Sequence, residues 1–136
     1  MSREAKDRLI LFALFVGFIV LFIDVRHQHH DIVQKGQDTR VWIPIISTAL
    51  LAFASLIGMA KDKLMLNIAA VVFGLGMVVG ALGLWFHTEQ HPERVKTYIT
   101  NETSAMAEPR PYLAPLSIAG LSMVGLITTA FGRKGR

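Results

Sequence analysis

Residues 64–86 read LMLNIAAVVFGLGMVVGALGLWF. No Asp, Glu, Lys, Arg or His interrupts these 23 residues, and Asn67 is the only amide among them. About 20 predominantly apolar residues are needed for an α-helix to cross the hydrocarbon core of a bilayer. Working outward, the same pattern recurs at 42–60 and 112–132, and in a shorter form near the start of the chain. There the uninterrupted apolar core is Leu9–Ile23; with Arg8 snorkelling and the helix continuing through Val25, the span is read as 9–25. A signal peptide is the competing reading for this segment. No small-residue cleavage site follows, however, because the core runs straight into Asp24, Val25 and Arg26.

The whole chain fits this pattern. It has 136 residues, 52% of them hydrophobic and 18% charged, with a mean hydropathy of +0.45. Soluble domains carry about 25% charged residues, spread along amphipathic elements. Here the charge is concentrated between apolar blocks. The net charge of +4 is therefore read as membrane topology and not as a nucleic-acid footprint. The absence of cysteine excludes disulfides, thiolate metal sites and cysteine nucleophiles. The expected fold is an all-α integral membrane protein, a single transmembrane domain over 1–136 built as a four-transmembrane-helix bundle.

Basic residues set the expected direction. Arg3, Lys6 and Arg8 precede span one, Lys61 and Lys63 lie in the tight turn between spans two and three, and Arg133, Lys134 and Arg136 follow span four. The long connections, 24–41 and 87–111, hold a sparser set: Arg26, Lys35, Arg40, Arg94, Lys96 and Arg110. Lysine and arginine resist translocation, so both termini are expected in the cytoplasm, and the bacterial inner membrane is the expected location. Trp42, Trp85 and Tyr112 then fall at the outer headgroup level, where amphipathic rings are favoured.

Between lipid-embedded helices, small residues permit close packing. Gly76 and Gly80 form a GxxxG pair, Ala54 and Gly58 have the same spacing, and span four offers Ser117, Gly120, Gly125 and Thr128. These positions are expected to pack inside the bundle, with a homo-oligomer seam as the alternative. Phe12, Phe15, Phe18 and Phe22 form a stripe on span one that is expected to face lipid or a partner protein. The returning helices start alike, as Arg40-Val-Trp-Ile-Pro44 and Arg110-Pro-Tyr-Leu-Ala-Pro115. This likeness suggests two tandem helical hairpins related by an axis along the membrane normal.

All five histidines fall outside the spans, at His27, His29, His30, His87 and His91. His27 and His30 are three residues apart, and His27 and Asp31, like His87 and His91, are four apart, so each pair shares a helix face. Imidazole is a good ligand for zinc, copper and haem iron. The candidate haem ligands are His27, His30 and His87, and the candidate metal ligands are His27, His30, Asp31, His87 and His91, with Glu89 as a helper. A solvated histidine run is the plain alternative. After His91, the spacing of Val95, Tyr98, Ile99 and Met106 predicts a short amphipathic helix on the outer surface. Asn101-Glu-Thr103 is formally a glycosylation sequon.

No nucleophile–base pair, phosphate loop or paired carboxylates appear, and the spans lack the ionisable residues that ion-coupled pumps and voltage sensors use. A non-enzymatic structural or accessory subunit of a membrane assembly is therefore expected. A metal- or haem-binding protein with a histidine-lined outer rim is the alternative, and an oligomeric small transporter or channel is a second one.

Overall fold

The computed structural model describes residues 1–36, 38–60, 62–88 and 113–132. It contains helices α1 (Arg3–Gln28), α2 (His30–Lys35), α3 (Trp42–Gly58), α4 (Lys63–His87) and α5 (Leu113–Gly132). A 3₁₀ turn, Thr39–Val41, leads into α3. Among the described residues, four helices are long and apolar enough to cross a membrane: α1, α3 with its 3₁₀ turn, α4 and α5. The expected surface helix after His91 and the basic residues following α5 lie outside the described residues.

Local chemistry sets the helix boundaries. The Ser2 hydroxyl accepts the Ala5 amide and starts α1. α1 then runs 26 residues, about 39 Å at the usual rise, so the short apolar core is embedded in a helix of full crossing length. Asp62 caps α4 by accepting the amides of Leu64 and Met65. Gly36 ends α2 in a left-handed conformation, φ 60°, which favours glycine. Pro44 and Pro115 are each the third residue of their helix, where no intrahelical donor is lost.

α1 packs on α3, α3 on α4, α4 on α5, and α5 back on α1. Neighbours in sequence are neighbours in space, which leaves α1 opposite α4 and α3 opposite α5. The buried residues of α4 follow a seven-residue repeat (Leu66, Ala69, Phe73, Gly76, Gly80), the spacing that keeps a seam facing inward. On α1 the buried face is Leu11, Leu14, Phe18 and Val25.

The small residues of this seam pack inside the chain. A Cβ at Gly80 would stand 2.6 Å from the Ala119 amide nitrogen and 2.8 Å from the Pro115 carbonyl, so α4 and α5 touch backbone to backbone there. Gly76 fits against Leu51 and the Ser122 hydroxyl, Gly58 lies against Ala69 and Leu11, and Ala54 is buried. Gly120 differs: it is exposed, with nothing within 4 Å of where a Cβ would stand, so within the chain it is not a packing position. The phenylalanine stripe also divides. Phe18 is fully buried and stacks on Phe73 in the core, Phe15 and Phe22 are half-buried, and only Phe12 is exposed. The stripe straddles the edge of the inward face, with Phe12 farthest from its centre.

Most hydroxyls inside the bundle are satisfied by their own helices; the buried Ser122 hydroxyl, beside Gly76, has no hydrogen-bond partner among the described residues. Thr48, Ser55, Thr128 and Thr129 each donate to a carbonyl one turn back, at 2.8–2.9 Å. In lipid, an unmet polar group has no water to turn to. At the end of the bundle holding the 59–62 turn, Arg3 donates to the Phe131 carbonyl at 3.2 Å, tying the start of α1 to the last turn of α5.

Candidate functional site

The opposite end of the bundle carries the described histidines, His27, His29, His30 and His87. Val25 is the last inward-facing residue of α1, and His29, four residues on, is the C-cap of the helix. Its ring therefore turns to the same side as Val25. His29 donates its Nδ1–H to the Val25 carbonyl at 2.8 Å. A carbonyl can only accept, so the ring's other nitrogen, Nε2, keeps its lone pair in the neutral imidazole. On α4 the seam Phe73, Gly76, Gly80 continues through Gly83 to His87, in the last turn. The two half-buried imidazoles meet across the α1–α4 diagonal, ring centres 6.5 Å apart and planes at 69°.

Beneath this pair lies a cavity of about 110 Å³, lined almost entirely by apolar groups from all four long helices. Val25, Pro44, Val79, Gly83, Ala114, Pro115 and Ile118 form its inner walls. Ile43, Leu82 and Phe86 also line it, and each is about half exposed on the outside of the bundle, so the cavity opens sideways between α3 and α4. The volume is somewhat less than the roughly 150 Å³ of a cavity that accepts benzene. It suits one small ring or a few methylenes, and a porphyrin does not fit within it.

Above the imidazoles a wider, more open groove of about 470 Å³ has the polar groups of Gln28, Asp38 and Arg40 set among apolar ones, Ile32, Val41 and Phe86. Asp38 and Arg40 pair at 3.0 Å. Hydrogen bonds from the Arg40 side chain and amide, with its positive charge, hold the Asp38 carboxyl below the ordinary aspartate value. The Arg40 charge beside the imidazoles is thus countered by Asp38.

The residues singled out in the sequence are placed as follows. His87 lies in the site. His27 is exposed on the outer face of α1. His30 is exposed and accepts from Arg26 at 3.4 Å, and Asp31 is exposed in the first turn of α2. His91 and Glu89 lie outside the described residues. Sequence reasoning passed over His29, because pairing His27 with His30 by spacing picks the face turned away from the bundle. Counting on from the buried Val25 identifies His29. Among the described residues, no three His, Asp or Glu side chains gather into a metal-binding group. No protein-family model matches the chain, and no curated protein or solved structure is similar to it.

Proposed function

We propose that this chain is a non-enzymatic binding protein of the membrane that holds an amphipathic small molecule at the histidine end of its bundle. The observation that carries this reading is the cavity beneath the His29–His87 pair, apolar within, with polar side chains at its mouth, and bordered on the outside of the bundle by Ile43, Leu82 and Phe86. Ligand sites are typically concave and apolar with a few placed polar groups. In this arrangement a ring or chain segment occupies the cavity, its hydrogen-bonding head reaches the imidazoles and Gln28, and any longer tail stays in the bilayer beside Ile43 and Phe86.

The topology belongs to the same proposal. Arg3, Lys6, Arg8 and Lys63 cluster at the turn end, which favours a cytoplasmic position for that end and places the histidines at the outer leaflet. A bacterial inner membrane suits this arrangement. The diagonal placement of α1 against α4 and α3 against α5 is what two tandem hairpins related by an axis along the membrane normal require. The close packing of Gly58, Gly76 and Gly80 inside the chain favours a self-contained bundle over a glycine seam between copies. The apolar interior favours binding over conduction of ions.

The test is native mass spectrometry of the protein released from nanodiscs containing a lysophospholipid. Wild type is expected to retain one lysolipid, Gly83→Leu to lose it by filling the cavity, and Gly120→Leu, on the exposed face, to keep it. Equal retention by wild type and Gly83→Leu overturns the proposal.

A further inference from the structure

We infer that His29 and His87 together form a site for a divalent first-row transition-metal ion, held at the mouth of the bundle between α1 and α4. This inference rests on the imidazole geometry and not on the amphiphile reading. Two metal–nitrogen bonds of about 2.0–2.1 Å, with half an imidazole ring at each end, span on the order of 6 Å. The observed ring centres are 6.5 Å apart, which matches that span for two nitrogens opposed across one ion. Metal-ligating histidines generally donate their second ring N–H to a carbonyl or carboxylate, which fixes the tautomer and aims the ligating nitrogen. His29 already does so, through Nδ1–H to the Val25 carbonyl at 2.8 Å. It sits at a helix end, where the backbone holds that carbonyl in place.

The surroundings admit a cation. The nearby Arg40 charge is countered by Asp38 at 3.0 Å. The groove above the pair is wide enough for water to complete the coordination sphere. The chain offers no thiolate, and imidazole suits Cu²⁺, Zn²⁺ and Ni²⁺, with Cu²⁺ the strongest binder of the series. His30 is a poorer ligand, because the Arg26 guanidinium lies 3.4 Å from its Nδ1. With two protein ligands the remaining coordination positions are open to water or to an added ligand.

The experiment titrates Cu²⁺ into the full chain in detergent, purified without a histidine tag, by calorimetry and electron paramagnetic resonance. One Cu²⁺ per chain with two imidazole nitrogens in its sphere is expected. H29Q and H87Q are each expected to weaken binding by on the order of tenfold or more, since even loss of an outer hydrogen bond costs that much. H27Q and H30Q are expected to leave binding within about twofold. Thermal unfolding of H29Q and H87Q without metal shows that each variant is folded, and a Cu²⁺-dependent rise in melting temperature in wild type alone supports the site. The inference is overturned by an absence of stoichiometric binding, by binding that survives H29Q and H87Q, or by loss in H27Q or H30Q instead. Whether Gly83→Leu retains a lysolipid has no bearing on these outcomes.

Discussion

Phe18 of α1 and Phe73 of α4 stack across the diagonal of the bundle, ring centres 6.3 Å apart and planes 29° apart. Both are fully buried, and they join two helices that otherwise barely touch. Phe18→Ala and Phe73→Ala are each expected to cost about 3–5 kcal/mol of stability. The double variant is expected to fall short of the sum by about 0.5–1.5 kcal/mol, the stacking contribution beyond burial. Reversible unfolding in mixed micelles measures both, and strict additivity would deny the contact.

The glycine seam gives a contrasting pair. At Gly80 an added methyl meets backbone atoms of α5 that cannot move aside. Gly80→Ala should therefore destabilise the bundle by about 1–3 kcal/mol. Gly125→Ala should do likewise, because its Cβ would overlap the immobile Phe73 ring, 2.5 Å away. Gly120→Ala has open space around it and is expected to be neutral or slightly stabilising. Thermal unfolding of the three variants side by side checks the order.

Four helices long and apolar enough to cross a membrane were legible because charge and apolar blocks separate cleanly along this chain, although α1 runs well past the 9–25 read from its apolar core. Which face of each span turns inward was not. In α1 nearly every residue from Leu9 to Ile23 is apolar, so no polar face marks the lipid side, and Phe18 and Phe12 look alike. The same flatness hid the site. His27, His29 and His30 are equivalent in composition, and only the buried run Leu11, Leu14, Phe18, Val25 picks out His29. His87 was readable because it directly follows the apolar block 64–86, and the structure places it in line with the buried run Phe73, Gly76, Gly80 of α4. The cavity was not readable at all, since its walls come from four helices far apart in sequence.

Asp62 is expected to set the register of the α3–α4 hairpin. Its carboxylate accepts the Leu64 amide at 2.7 Å and the Met65 amide at 3.1 Å. Asp62→Ala should lower stability by about 0.5–2 kcal/mol, and Asp62→Asn, which keeps an accepting oxygen, should restore most of it. Equal losses in the two variants would assign the effect to charge and not to capping.

The pH dependence of the rim follows from Asp38. Its value lies below the ordinary aspartate range because Arg40 stabilises the charged form. The pair is therefore fully formed above the ordinary aspartate value and is lost only as pH falls through the lowered one. Carbon-13 NMR of the Asp38 carboxyl should show titration below that of a free aspartate, moving back up in Arg40→Gln. No change in the pair is expected between pH 5 and 8.

The most direct test of the central claim is where a lipid-soluble probe reacts. A single-chain amphiphile carrying a diazirine near its head, photolysed with the protein in nanodiscs and mapped by tandem mass spectrometry, is predicted to label Ile43, Pro44 and residues 82–86 above all other lipid-facing positions. Gly83→Leu should abolish that preference. Labelling spread evenly over the exposed faces of α1, α3, α4 and α5, and unchanged in Gly83→Leu, would contradict a binding cavity at the histidine end.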